Sequence, residues 1–329
     1  MVKVRWGVLS TAKIGWEKVI PAMQAGKYSE IIAIASANKE KAEAIAKQNN
    51  IAKVFDSYEA LLADPDIDAV YIPLPNHLHV PWSIKALQAG KHVLCEKPIA
   101  LSATEAEKLL QVSLQYPHLK MMEAFMYRFH PQWHAIKQMV NDGSIGQLKT
   151  IQSVFSYYNI DPLNVRNQKD IGGGGLMDIG CYPISTSRFI FGKEPEKVFG
   201  SLEFDPVFQT DIMASAILDF SSGTATFTCS TQAMPYQRTN IIGSEARIEL
   251  EIPFTPSPDN PAIIWLHTKT HSKQINFEAT NQYTLQGDQF SLAILNKEEL
   301  QTKLTDAVNN MKVIDAIFES GRTGSWKQV

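Results

Sequence analysis

The chain has few cysteines, no surplus of charge and no long apolar run, and each shortage removes a class of protein. Its three cysteines, Cys95, Cys181 and Cys229, form neither an even set nor a metal-ligand spacing, which leaves reduced thiols in a cytoplasmic protein as the expectation. A formal net charge of -3 gives no basic surplus for gripping phosphate backbones, so nucleic acid is not an expected partner. No stretch approaches the ~20 apolar residues needed to span a bilayer. Met1 leads straight into an apolar strand, without the basic, apolar and small-residue segments of a signal peptide. There is no internal repeat or low-complexity tract. The pairs His77/His79 and His130/His134 are not joined by Cys or carboxylate in a ligand pattern, so no metal is expected.

What is present is a globular composition, 44% hydrophobic and 20% charged over 329 residues, enough for about two domains at roughly 150 residues each. The first part alternates short apolar runs with helical patterns. Val4–Leu9, Ile31–Ser36, Ala69–Pro73, His92–Cys95 and Lys120–Ala124 read as strands. Ile14–Ala25, Lys39–Gln48, Tyr58–Ala63, Val80–Gly90 and Ala103–Gln115 read as helices between them. Strands separated by helices imply right-handed crossovers and a doubly wound parallel sheet covered on both faces. Residues 1–123 are therefore expected to form an α/β Rossmann domain. Beyond them, a helix at Pro131–Asp142 is followed by strand-like runs joined by short turns and a closing helix at Gln301–Thr323. Residues 124–329 are expected to be an α+β domain built on a large open sheet, mainly antiparallel, for substrate binding and oligomerisation.

The turn after the first strand reads Ser10-Thr11-Ala12-Lys13-Ile14-Gly15, the G-x-G-x-x-G spacing with its first two glycines replaced. Small residues still meet much of the demand for a tight turn and close approach. The helix that follows offers free N–H groups and a positive dipole end to a pyrophosphate. At the end of the second strand, Ser36-Ala37-Asn38-Lys39 contains no carboxylate to hold the 2′-hydroxyl of NAD. Ser36, Asn38 and the Lys39 cation suit a dianionic 2′-phosphate, so NADP is favoured, with NAD possible. Cys95-Glu96-Lys97-Pro98 places an ammonium at the carboxyl end of a buried strand, where ligands of doubly wound sheets bind.

The ordered set of this start, Pro75-Asn76-His77-Leu78-His79, Glu96-Lys97-Pro98, Glu123-Ala124-Phe125-Met126-Tyr127-Arg128 and Gly173-Gly174-Gly175-Leu176-Met177-Asp178-Ile179-Gly180-Cys181-Tyr182 resembles the glucose-fructose oxidoreductase / inositol dehydrogenase / MocA family over nearly the whole chain. Within that family the Ser10-Thr11-Ala12 turn, the Asn159–Asn167 segment and tyrosine at 182 are similar to the branch of NADP-dependent D-xylose dehydrogenases and dimeric trans-dihydrodiol dehydrogenases.

The resemblance implies an oxidoreductase that moves hydride between a nicotinamide cofactor and a sugar or polyol hydroxyl. Tyr182 would be the proton acceptor, Lys97 its electrostatic partner, and Asp178 would orient substrate hydroxyls or Lys97. A tyrosine has an unperturbed pKa of about 10, so each unit of depression needs roughly 1.4 kcal/mol of preference for the phenolate, which an ammonium and an oxidised nicotinamide can both supply. Asp178 and Tyr182 stand four apart, so a helical turn would put them on one face, with Pro183 a warning of a kinked or split helix. By the same resemblance Leu74, Pro75, Asn76 and His79 line the cofactor, Glu96 lies beside the nicotinamide ribose, and Arg166 approaches the nicotinamide. Phe125, Tyr158, Asn164 and Tyr283 are expected substrate-pocket walls. Oxidation of a trans-dihydrodiol, or reduction of a dicarbonyl sugar derivative, would use the same chemistry with different walls. A non-catalytic dinucleotide sensor would need only the cofactor turn, and the joint presence of Lys97, Asp178 and Tyr182 argues against it. A homodimer or homotetramer is expected through the sheet of the second domain.

Overall fold

The computed structural model describes residues 2–329. Contacts divide the chain into two compact units, one holding the chain up to Met126 together with Asn281–Val308, the other Tyr127–Thr280 together with Asn309–Val329. The stretch from Asn281 to Val308 thus packs with the first unit, although the sequence grouped it with everything after residue 123.

The first unit is built on six parallel strands, β1 (Val4–Leu9), β2 (Ser29–Ala35), β3 (Lys53–Phe55), β4 (Ala69–Ile72), β5 (His92–Cys95) and β6 (Met121–Glu123). Their order is β3-β2-β1-β4-β5-β6, which places the topological switch between β1 and β4. β1, β4 and β5 are almost wholly buried, as a sheet covered on both faces requires. The crossovers carry α1 (Ile20–Gln24), α2 (Lys39–Gln48), α3 (Tyr58–Ala63), α4 (His79–Gln88) and α5 (Ala103–Ser113). Asn38, Ser57 and Ser102 start three of these by accepting the amides of Lys41, Ala60 and Glu105. A widened, π-type turn over Gly15–Val19 leads into α1, whose second residue is Pro21.

The second unit opens with α6 (Pro131–Asn141), capped by His130, whose Nδ1 accepts the Gln132 amide. Its nine-stranded sheet comprises β7 (Leu148–Tyr158), β8 (Lys197–Phe204), β9 (Asp211–Asp219), β10 (Thr224–Ser230), β11 (Gln232–Gly243), β12 (Ala246–Leu250), β13 (Ala262–Thr268), β14 (Ser272–Phe277) and the short β15 (Lys327–Gln328). The order is β14-β13-β12-β11-β7-β10-β9-β8-β15, antiparallel throughout except where β7 and β10 run parallel. A second widened turn, Leu176–Gly180, runs into α7 (Cys181–Phe191). The expected break at Pro183 takes this form: the chain stays helical, and the wide turn just upstream accommodates a residue that has no N–H to give.

Two further helices complete the chain. α8 (Gln282–Leu295) lies against α1, where a Cβ at Gly287 would stand 2.8 Å from the Met23 side chain. The indole of Trp6 donates to Ser291 of the same helix at 3.1 Å. α9 (Leu304–Thr323) lays Ile317 over Gly200 of β8, where a Cβ would stand 2.8 Å away.

Candidate active site

In the first unit, the turn after β1 is held by its own side chains. Ser10 adopts φ 129°, a backbone region that favours glycine, and its Oγ accepts the Ala12 amide at 2.9 Å. The helix beginning at Lys13 leaves its first amides without intrahelical acceptors. Gly15 brings that helix against the end of β4, where a Cβ would meet the Pro73 ring at 3.4 Å. Between the ends of β1 and β2, the Thr11 and Ser36 hydroxyls stand 3.4 Å apart, Ser36 Oγ accepts the Asn38 amide, and Asn38 Oδ1 caps α2. Lys13 and Lys39 are exposed cations, 3.7 Å from Glu17 and 3.8 Å from Glu43. No carboxylate occupies the Ser36–Lys39 segment.

The loops after β4 and β5 are tied together by His79. Its Nδ1 lies 2.7 Å from the Pro98 carbonyl and its Nε2 2.7 Å from the Leu74 carbonyl. Complete burial pushes its pKa down to about 4, so the ring is neutral at physiological pH and donates to one of the two. Beyond Pro98, the Ile99 amide donates to Glu123 at the end of β6. This bracing fixes Glu96 and Lys97, both half-buried at the carboxyl end of β5. Glu96 accepts the Tyr71 hydroxyl at 2.6 Å and the Lys97 amide at 3.3 Å. Burial, and then the charge of Glu96, raise the phenols of both Tyr71 and Tyr283 above the usual tyrosine range. Tyr283 and the fully buried Phe125 both belong to this unit.

In the second unit the wide turn and α7 carry Asp178 and Tyr182. Asp178 Oδ2 accepts the Tyr157 hydroxyl and the Arg166 Nε, each at 2.7 Å. Asp178 raises the Arg166 guanidinium above its usual range, and Tyr182 adds to that effect from the same helix. Burial, and then Asp178, raise the Tyr157 phenol. Arg166, expected beside the cofactor, is here the counter-charge of Asp178. Asn164, expected as a pocket wall, sets its position by accepting the Arg166 amide. Tyr182 is 5% exposed, with its ring 5.4 Å from Phe254, 5.7 Å from Phe155 and 6.1 Å from Tyr127. Tyr158, another expected wall, is 60% exposed on the other side of β7 from Tyr157.

The glycines before the helix have internal reasons. A Cβ on Gly173 would stand 2.6 Å from the Arg166 carbonyl, and one on Gly174, at φ 117°, would stand 2.0 Å from Asp211 Oδ1. Three residues of this unit and its neighbour escaped the sequence reading: Tyr157, Asp211 and Tyr71. The period-two alternation of β7 carries a signal for Tyr157, since only one of two adjacent tyrosines can share a face with the core. Among the described residues, no helix is long and apolar enough to cross a membrane, no group of three or more His, Cys, Asp or Glu could hold a metal ion, and all three cysteines are free and buried.

Residues 4–120 match the oxidoreductase family with an NAD-binding Rossmann fold, GFO/IDH/MocA, and residues 133–249 match the GFO/IDH/MocA C-terminal domain. The chain is 42% identical to an uncharacterized oxidoreductase, ORF334, of Rhizobium meliloti, over 99% of both sequences. It is 35% identical to D-xylose 1-dehydrogenase (NADP(+)) 2 of Haloferax volcanii, over 97% of this chain and 98% of that one. Among solved structures it is similar to a 3-ketoreductase from Actinomadura kijaniata in complex with NADP and TDP-benzene, with a TM-score of 0.91, 30% identity, and coverage of 97% and 98%.

Proposed function

The chain belongs to the GFO/IDH/MocA family of oxidoreductases, and we propose that it transfers hydride between NADP and a hydroxyl-bearing carbon of a sugar or polyol. The corner between the ends of β1 and β2 fits that cofactor: Ser36, the Asn38 side-chain amide and Lys39 would hold a 2′-phosphate that a carboxylate would repel, and the amides that open the helix at Lys13 would hold the pyrophosphate. When bound, the nicotinamide supplies the hydride acceptor or donor. Leu74, Pro75, Asn76, His79 and Glu96 belong to the cofactor side.

The observation that carries the reading is the carboxylate of Asp178, held by Arg166 and Tyr157 on the same helical segment as Tyr182. Alcohol oxidation releases a proton as well as a hydride, and a general base must take it. Tyr182 is that base. Asp178 accepts a substrate hydroxyl and orients it, and Lys97 is the catalytic cation of the first unit. The aromatic faces around Tyr182 suit the C–H surface of a pyranose or furanose ring. The similarity to a 3-ketoreductase supports a second reading, reduction of a keto-sugar by the same residues run in reverse.

Met213, Ile217 and Tyr236 are exposed on the sheet of the second unit. They support self-association through that sheet as a homodimer or homotetramer, and the free, buried thiols support a cytoplasmic setting. The test is a panel of aldoses, polyols and diols followed by absorbance with NADP and NAD in turn. Turnover of at least one sugar with preference for NADP is expected. Tight NADP binding with no turnover of any member would overturn the enzymatic reading in favour of a dinucleotide sensor.

A further inference from the structure

A helix must find acceptors for the amides of its first turn, and a buried one cannot leave them to water. The helix that carries Asp178 and Tyr182 finds them 35 residues downstream. Asp211, the first residue of β9 and 1% exposed, accepts the Leu176 amide at 2.6 Å. The carboxylate is fitted closely into its place. Any Cβ on Gly174 would lie 2.0 Å from Asp211 Oδ1, and one on Gly175 would lie 3.3 Å from Oδ2. One turn along, a Cβ on Gly180 would lie 3.0 Å from the Cys229 sulfur of β10. Glycine at these positions lets the loop and the wide turn settle onto the sheet, with the negative charge at the positive end of the helix.

We propose that Asp211 is a positioning residue of the active site: its buried carboxylate fixes the first turn of the helix that presents Asp178 and Tyr182, and it does so without touching substrate or cofactor. The inference rests on the oxidoreductase reading for its effect on rate, and on geometry alone for the anchor. Asp178 follows Leu176 by two residues, so slack in this bond is transmitted directly to the carboxylate that orients substrate.

Burial, with the charge of Asp178 on the helix adding to it, pushes the Asp211 carboxyl up to about 6, and the Cys229 thiol also faces it. The Leu176 amide holds the carboxyl lower than burial alone would, so protonation below that pH weakens this bond while the side chain stays buried. The anchor loosens and kcat falls on the acid side.

Asp211→Asn keeps the shape and replaces one acceptor oxygen by an NH2 group. We expect hydrogen exchange at Leu176 to quicken by at least about tenfold, the size of a lost bond to a charged group. We expect kcat to fall by at least about tenfold with KM for NADP within about twofold of wild type. The acid limb of the wild-type kcat profile near pH 6 should be absent from the variant. Unchanged exchange at that amide, or an acid limb that persists in the variant, overturns the proposal. Should the variant not fold, the wild-type protein decides: its protection factor at Leu176 must drop as pH falls through about 6, and a flat profile overturns the anchor. A wild-type protein without turnover on any sugar would sink the oxidoreductase reading and leave the exchange measurement to decide the anchor.

Discussion

Replacing Asp178 by Asn removes one negative charge and almost no volume, so its effect measures the charge. In the folded protein that charge serves Arg166 Nε and the Tyr157 hydroxyl, each at 2.7 Å, from a side chain only 13% exposed. Orphaning one member of a fully buried ion pair costs about 3–5 kcal/mol. The Arg166 side chain is 40% exposed, and hydration of its guanidinium brings the ion-pair share down to about 2 kcal/mol. Tyr157 exchanges a charged acceptor for a neutral one, at a cost of about 1 kcal/mol. The total of about 3 kcal/mol lowers Tm by roughly 6–12 °C for a unit of this size. The assay is a double-mutant cycle followed by calorimetry, with Asp178→Asn, Arg166→Met and their combination. A coupling energy of about 2 kcal/mol is expected, since Arg166 has no counter-charge left once the carboxylate is gone. Coupling below about 0.5 kcal/mol would show the two changes to be independent and refute the assignment of Arg166 to Asp178.

Other perturbations test separate parts of the argument. Tyr182→Phe keeps the ring against Phe155 and Phe254 and should leave the melting curve in place, while kcat for sugar oxidation drops by at least ~100-fold; a rate near wild type would remove Tyr182 from the proton path. Ser10→Ala and Ser10→Gly both lose the bond to the Ala12 amide, but only glycine relieves φ 129°, so the glycine variant should be the more stable by about 1 kcal/mol in urea unfolding. Alanine proving equal or better would show that the turn is unstrained. His130 accepts an amide through Nδ1 and is pushed down to about 4 by burial, against about 6.5 in an unfolded chain. The unfolded state therefore binds the extra proton between those values, and stability falls as pH drops through that window by about 1.4 kcal/mol per unit for this group. His130→Asn retains a capping oxygen with nothing to protonate, and unfolding free energies measured across the window should show a slope smaller by about one proton. An unchanged slope would mean that His130 titrates normally in the folded protein.

Where burial is continuous, the sequence was legible to the residue. β1 and β5 occupy the bounds expected of them, and α2 and α3 do so because the caps Asn38 and Ser57 mark their starts. Elements that owe their existence to neighbours were not. β3 is three half-buried residues at a sheet edge, too short to show a period. β11 runs from Gln232 through Pro235, which a strand tolerates here only because a bulge carries the chain past it. α8 shows only a weak apolar stripe, since its buried face is made of Gly287, Ser291 and polar side chains that meet Met23 and Trp6. The chemistry divides the same way. The place of Lys97 at a strand end follows from local pattern alone. The pairing of Arg166 with Asp178 depends on a loop folding back over twelve residues, and the clasp of Asp211 on Leu176 on a contact 35 residues away. Neither leaves a trace in spacing.

The wide turns at Gly15–Val19 and Leu176–Gly180 are each followed within three residues by a proline, Pro21 and Pro183. A bulged turn travels along a helix when successive amides hand over from one carbonyl to the next, each step rotating everything beyond it. Proline has no hydrogen to hand over, so in both helices the bulge meets a dead end on its C-terminal side. The angular setting of the residues beyond is thereby locked, and a one-residue deletion or insertion upstream of either proline would turn those side chains away from their partners without unfolding the spiral that bears them.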